Sequence, residues 1–423
     1  MMMLIKRGVA VLLLLVGSLS AMAAEMDITA SFTPSMDNPE NNAFTNTTPQ
    51  SGFCATWPAS CTGDVRSLAT GLTLTPSRGL TPQDDRRDSL FFKWPSSVRN
   101  LMVTNNQTGN AQTVQFRVSS FSGRYHANSN AGTYNWGRGS TAFSIYPDGG
   151  CSNLSMGWGA GNWLAWLWRV PEGNNGCYKI THTERPAGDA QFINRVNELS
   201  FGYEMIAPNP MQMESGVYTG TLVFNVGPGG DIDFGDNFQA SDSQLIINFT
   251  LSVNHELKLT TTADDQKVAL QPCALGRNCT EEEGKANWER WMVTRVTPQL
   301  SGRSNFRLSS SGAFTVYLQC EQQSGNDCGL KSDNDPSQVV PVQSLLTLPD
   351  NIVDQSTGAT VVKRRLAQGR DLTKNVFLTR SYGENKAGSI DFLVSQRDVD
   401  TMLKTRPDTY RGAVTVIFDP EIY

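Results

Sequence analysis

The sequence predicts an all-β protein built from two tandem β-sandwich domains, and three observations carry that prediction. Apolar and polar residues alternate with period two along many short runs, the pattern of a strand with one buried face. Turns rich in Gly, Asn and Pro separate these runs at the density of a sandwich or barrel. One strand pattern also occurs twice. Val217-Tyr218-Thr219-Gly220-Thr221-Leu222-Val223-Phe224-Asn225-Val226 shares a Tyr-x-Gly start and an alternating tail with Tyr410-Arg411-Gly412-Ala413-Val414-Thr415-Val416-Ile417-Phe418. Each copy follows a polar turn with proline, Pro208-Asn209-Pro210 or Arg406-Pro407-Asp408, so each reads as the element that closes a domain.

At the start of the chain, Lys6 and Arg7 precede an apolar stretch from Gly8 to Val16, and Ala21-Met22-Ala23 supplies a small-x-small cleavage site. Residues 1–24 therefore read as a secretory signal peptide, cut after Ala23 or Ala24. No later stretch approaches ~18 consecutive apolar residues, so no membrane span is expected. Removing Lys6 and Arg7 from the 35 basic side chains leaves 33 against 40 acidic ones, a formal charge of −7. That balance argues against a nucleic-acid partner. The remaining chain of about 400 residues suits two domains. The boundary is expected within Asn254 to Lys258, giving domains of 25–256 and 257–423.

In the first domain Met26, Ile28, Ala30 and Phe32 alternate and predict a strand from Met26 to Phe32. Short strands follow at Leu90 to Trp94, Thr113 to Ser119 and Thr141 to Tyr146, and Gly149-Gly150-Cys151 reads as a turn. The run from Gly157 to Trp168 holds four of the nine tryptophans; Trp163, Trp166 and Trp168 sit in its apolar part and read as core. Leu245, Ile247, Phe249, Leu251 and Val253 make the cleanest alternation in the chain. The second domain opens at Leu257-Lys258-Leu259. Thr280 to Arg295, charged and carrying Trp288 and Trp291 three apart, reads as a short helix or a long loop. Further strands are expected around Phe306 and Leu308, Phe314 to Leu318, Val376 to Leu378, Ile390 to Val394, and at the second Tyr-x-Gly copy.

Eight cysteines behind a signal peptide read as disulfides, and their local clustering predicts neighbour pairs: Cys54 with Cys61, Cys151 with Cys177, Cys273 with Cys279, and Cys320 with Cys328. No pair has CxxC spacing and His126, His182 and His255 are scattered, so no metal or other cofactor is expected. Asp231-x-Asp233-x-x-Asp236 has oxygen ligands for calcium, but a solvated loop is the preferred reading. Asp84-Asp85 reads as a solvated turn, and no nucleophile elbow, zinc-protease helix or phosphate loop is present. The chain is therefore expected not to be an enzyme; a secreted carbohydrate-active enzyme is the competing class.

The leader, the two β-domains and the Tyr-x-Gly-x-Val-x-Val-x-Phe strand resemble the two-domain tip adhesins of chaperone–usher fimbriae, and among these the class-5, alternate-chaperone type. Ser215 to Val226, the loop Gly227 to Asp236 and Gln244 to Val253 follow the order in which such an adhesin domain closes. The architecture covers the whole mature chain; the motifs cover those segments, Tyr410 to Phe418, and Cys54 with Cys61.

The resemblance implies an N-terminal adhesin domain and a C-terminal pilin domain, an immunoglobulin-like sandwich lacking its last strand. Tyr410, Gly412, Val414, Val416 and Phe418 would border the gap. Its implied partners are a periplasmic chaperone, an outer-membrane usher, a neighbouring pilin subunit that donates a strand, and a host glycan or glycoprotein receptor. The protein would be exported through the periplasm to a fimbrium on the cell surface. Trp136 and Arg138 in one Gly-flanked loop, with Trp158 in another, offer ring faces and a guanidinium for such a receptor. Met26 to Phe32 departs from the family pattern. It reads as the first strand of the N-terminal sandwich, or else as a donor strand that would make the chain a structural minor pilin within the fibre shaft.

Overall fold

The structure, a computed structural model, describes residues 23–127, 146–156, 163–189, 192–273 and 279–420. The signal-peptide reading, the loops carrying Trp136, Arg138 and Trp158, and most of the strand expected at Thr141 to Tyr146 lie outside the described residues. With 47% of residues in strands and 10% helical, the fold is all-β.

The first group of strands comprises β1 (Ala23–Phe32), β2 (Arg99–Asn105), β3 (Ala111–Ala127), β4 (Trp163–Arg169), β5 (Ile193–Ile206), β6 (Gly216–Asn225) and β7 (Gln244–Val253), with several shorter pieces. They form one curled sheet in the order β5, β3, β2, β6, β7, β1, with β4 branching from β3. The alternation in β7 does what its pattern predicts: Leu245, Ile247, Phe249, Leu251 and Val253 are all buried. β1 lies parallel to β7 in unbroken register, from Ala23 opposite Gln244 to Phe32 opposite Val253. Ile28, Ala30 and Phe32 fill the same core. The N-terminal strand is thus a member of the first sheet, the preferred of its two readings. Trp166 and Trp168 are buried in that core, and Trp163 is half-buried.

The second group comprises β8 (Leu257–Thr260), β9 (Leu300–Ser310), β10 (Ala313–Cys320), β11 (Asp327–Ser332), β12 (Val339–Thr347), β13 (Phe377–Thr379), β14 (Gly383–Val394) and β15 (Val414–Asp419). One layer runs β8, β9, β14, β12, β11, and the other ends β13, β10, β15. A separate core of Leu308, Val316, Leu318, Leu346, Leu366 and Phe377, with other apolar residues, fills the space between them. No described strand of the first group pairs with one of the second.

The stretch from Thr280 is a helix, α1 (Glu281–Thr294). It starts with a capping box: the Thr280 hydroxyl accepts from the Glu283 N–H at 3.2 Å, and the Glu283 carboxylate accepts from the Thr280 N–H at 3.1 Å. The four disulfides join Cys54–Cys61, Cys151–Cys177, Cys273–Cys279 and Cys320–Cys328.

The second Tyr-x-Gly copy is not one continuous strand. Tyr410 and Arg411 pair with Ser332 and Lys331 of β11; the chain then crosses to the other layer, where Val414 to Asp419 pair with β10. The crossing occurs at Gly412-Ala413. A Cβ on Gly412 would lie 2.6 Å from the Gly329 carbonyl oxygen, so only glycine lets the two backbones approach. Gly220 meets the same need in β6, where a Cβ would stand 2.4 Å from the Met102 carbonyl oxygen. The shared glycine therefore has a shared physical cause.

Candidate functional site

β15 is paired on one side only among the described strands. Val414, Val416 and Phe418 stand opposite Cys320, Leu318 and Val316 of β10. Val316 and Leu318 are fully buried, whereas Val414, Val416 and Phe418 are half-buried against the same core. The Phe418 ring lies 5.3 Å from Phe306 and 6.1 Å from Phe314. β6 shows what a completed counterpart looks like. An earlier strand, β2, pairs antiparallel with it at Tyr218 and Thr219, and the following strand, β7, pairs antiparallel along its whole length. In the second group β10 is the earlier antiparallel neighbour, and no described strand follows β15 in the place β7 takes. A free strand edge over a half-covered apolar core is an acceptor for another extended segment.

The head of the first group offers a different surface. β3 ends at Ala127 and β4 begins at Trp163, so the strand ends flank the segments that hold Trp136, Arg138 and Trp158. His126 stands opposite Trp163 in the β3–β4 register. The Arg124 guanidinium carbon lies 4.3 Å from the Trp163 ring centroid and 5.3 Å from that of Trp57, and Arg124 makes an ion pair with Glu198 at 2.9 Å. The Arg124 Nε is buried without a hydrogen-bond partner. Glu198 itself has φ of 51°. His126 Nε2 meets Asn197 Oδ1 at 2.8 Å, and burial lowers the His126 pKa despite that bond. Sequence reasoning missed Arg124, Trp57 and Trp163 as surface candidates. Alternation across Gly123 to Ala127, with Tyr125 inward, would have aimed Arg124 and His126 outward.

The two groups meet across a three-residue joint, Asn254-His255-Glu256, between β7 and β8. His255 Nε2 lies 2.9 Å from the Met213 carbonyl oxygen, which can only accept, so this nitrogen carries the proton. Its Nδ1 then accepts from the Ser311 hydroxyl at 3.2 Å. Burial lowers the His255 pKa, more than the Met213 and Pro210 carbonyls raise it. Its ring also packs edge-on to Phe32 and against Gly312. The Glu256 carboxylate accepts from the Tyr382 hydroxyl, whose pKa burial and Glu256 push up to about 12. A cavity of about 780 Å³ opens beside the joint, lined by residues of both groups.

The acidic loop is held by arginines. Arg87 pairs with both Asp233 and Asp236 at 2.9 Å, and Arg99 pairs with Asp231 at 2.7 Å. Burial alone would raise the Asp233 pKa, but Arg87 and the Gly229 and Gly235 N–H groups lower it overall. Asp236 is lowered chiefly by its hydrogen bond to Arg87. A calcium ion would have to displace these cations, and Asp233 is buried, so the loop is packed around its arginines rather than solvated as expected. Among the described residues no cluster of His, Cys, Asp and Glu has metal-ligand geometry. Asp84 caps its own turn, accepting from the Thr81 N–H at 2.9 Å and pairing with Arg78 at 3.0 Å.

No protein-family model matches the chain, and no curated protein matches it. Solved structures align over nearly all of it at low identity. One is a chaperone–tip adhesin complex of CFA/I fimbriae biogenesis: 11% identity, 95% of this chain and 97% of that one, TM-score 0.23. Another is CfaE, the adhesive subunit of the CFA/I fimbria of enterotoxigenic Escherichia coli: 10% identity, 94% and 92%, TM-score 0.21. A third is the CsuC–CsuE chaperone–tip adhesion subunit pre-assembly complex from archaic chaperone–usher Csu pili of Acinetobacter baumannii: 12% identity, 94% and 98%, TM-score 0.21. Scores this low leave the function to be argued from the chain's own residues.

Proposed function

We propose that the chain is a fimbrial adhesin subunit at the cell surface, with a receptor-binding domain of residues 25–256 and a pilin domain of residues 257–423. The observation that carries this reading is the contrast, among the described strands, between β6, which has a strand on both sides, and β15, which has one. A half-built sandwich with an apolar gap calls for a strand from another chain. During export a periplasmic chaperone fills the gap, the outer-membrane usher receives the subunit, and a neighbouring pilin subunit then supplies the strand. Val414, Val416 and Phe418 of β15 form the wall that receives it, while Tyr410 sits on the opposite layer and Gly412 at the crossing that leads into it. The receptor is a glycan or glycoprotein, met by the head of the first domain, where Arg124, Trp57 and Trp163 extend the chemistry of Trp136, Arg138 and Trp158.

The assembly half is tested by unfolding the full chain with and without a synthetic peptide copying residues 243–253, the chain's own version of the absent strand. The reading expects a raised melting transition, and an unchanged one refutes it. The receptor half is tested on a glycan array read for cleavage as well as binding. Cleavage would transfer the protein to the carbohydrate-active enzymes.

A further inference from the structure

A second cavity lies in the second group, beside α1. The helix stands off the sandwich, and Gly284 is its one buried residue. One face of it, with Glu283, Asn287, Arg290, Trp291 and Thr294 at steps of one, three and four, walls a cavity of about 690 Å³. The rest of the wall comes from Cys273 and Cys279 and from the chain between Val296 and Gln299 that leads into β9. The volume falls in the range of small-ligand sites. Trp288 packs against the core of the second group and meets Trp291 edge-on at 5.7 Å, which fixes the Trp291 ring as a platform.

Cations collect on this platform without counter-charges. The guanidinium carbons of Arg295 and Arg406 lie 5.5 and 5.6 Å from the Trp291 ring centroid, and Arg290 precedes that tryptophan in the cavity wall. All three arginines are exposed, and among the described residues none of them is in an ion pair. Arg87, Arg303 and Arg365 elsewhere each hold a carboxylate. A helix C-terminus favours cations, but two on one ring repel each other, and a bound anion relieves that repulsion. Glu283, the one carboxylate among the described lining residues, is tied to the start of α1 by the capping box. Asp400 accepts from the Thr297 hydroxyl.

The amides supply the opposite chemistry. Asn287 donates to the Pro272 carbonyl at 2.8 Å, and Gln299 donates to the Cys273 carbonyl at 3.3 Å. Their amide oxygens have no partner among the described residues and can accept. A ligand that matches both sets carries an acid for the guanidiniums and hydroxyls for the amide oxygens. We propose that this cavity binds a sugar ring bearing a carboxylate. Arg290, Arg295 and Arg406 take the acid, and Asn287 and Gln299 take hydroxyls. The site lies within residues 257–423, apart from the receptor surface at the head of the first group, and does not depend on the gap beside β15.

Calorimetric titration of the full chain with trigalacturonate and with sialyllactose, each beside its methyl ester, tests the proposal. At least one acid should bind roughly tenfold or more tightly than its ester, the range of hydrogen bonds to a charged group. The arm that binds tells a hexuronate from a sialic acid. The Arg290→Gln, Arg406→Gln double variant should lose the preference for the acid. Arg86→Gln, which removes an exposed charge from the first group, should keep it. Asn287→Ala should weaken acid and ester alike, because it removes a contact to a hydroxyl. Binding of neither sugar, equal binding of acid and ester, or a preference that survives in the double variant or vanishes in Arg86→Gln overturns the proposal. So does complete competition by an equal concentration of inorganic phosphate, which marks a plain anion site. Binding to phosphatidylglycerol vesicles in place of either sugar also overturns it and makes the surface a membrane contact. Each of these failures leaves the strand-filling reading of β15 standing.

Discussion

Substituting Val416 by Asp separates an open gap from a finished core. In the chain alone Val416 is half-buried on β15, with Leu318 opposite it. Losing that contact removes about 1 kcal/mol of apolar burial, half of what a fully buried valine contributes. The new carboxylate can still turn toward water through the open side, so the added cost is small. Once a strand is laid over β15 this escape is closed. Desolvating an unpaired carboxylate there costs several kcal/mol, on the order of 3–5. The substitution should therefore lower the melting temperature of the chain alone by only a few degrees, while weakening the peptide of residues 243–253 by at least a hundredfold, about 2.7 kcal/mol. The comparison variant is Leu318→Asp on the fully buried neighbour, which should fail to fold with or without peptide. Thermal unfolding and peptide titration by fluorescence read both quantities. If Val416→Asp unfolds the free chain as severely as Leu318→Asp, the site is already interior and the gap does not exist. If it leaves peptide affinity unchanged, the peptide binds elsewhere.

Three further outcomes follow from the geometry. Gly220→Ala and Gly412→Ala each force a methyl group to within 2.6 Å or less of a backbone oxygen, and each should cost about 1–3 kcal/mol in denaturant melts, with Gly220 the worse. Non-reducing peptide maps should recover the four neighbour disulfides, and replacing Cys151 and Cys177 by Ser should cost roughly 3 kcal/mol, because that bridge closes the longest of the four loops. His126 and His255 have folded pKa values below the ordinary 6.5, so the folded state binds fewer protons than the unfolded one as pH falls. Their contribution is fully present above pH 6.5 and is lost on descending through the lowered folded values; His255→Gln should flatten the upper part of that decline in a melting series from pH 7.5 to 5.

Period-two patterns made much of the fold legible, because a strand with one buried face writes its burial directly into sequence. β7 is the clearest case and β1 the next. The cysteine pairs were legible because short spacings leave each cysteine one near partner. What pairs with what was less visible. Residues 410 to 418 keep a single phase, so nothing in their alternation reveals that the chain changes layers at Gly412-Ala413; the cause is the Gly329 carbonyl across the gap. β3 was read only as far as Ser119, because Ser120 to Gly123 are buried on both faces in mid-sheet and lose the alternation. Arg124 was missed because a stack on Trp57 and Trp163 joins residues far apart in sequence. α1 carried its capping box openly, yet its scant apolar periodicity left a loop equally plausible.

The parallel pairing of β1 with β7 has a consequence for how the protein is made. A chain synthesised from its N-terminus delivers β1 first, but its partner emerges more than two hundred residues later. Until then β1 is an unsatisfied apolar ribbon, and when β7 arrives the loop between them must close at an entropic cost that grows with the logarithm of its length. Completion of the first sheet is therefore a late, non-local event and should be slow compared with the formation of the β6–β7 hairpin. Any tag fused directly before Ala23 would ride on the strand that docks last. A tag inserted instead at the exposed turn around Thr108-Gly109, between β2 and β3, would leave that docking step untouched.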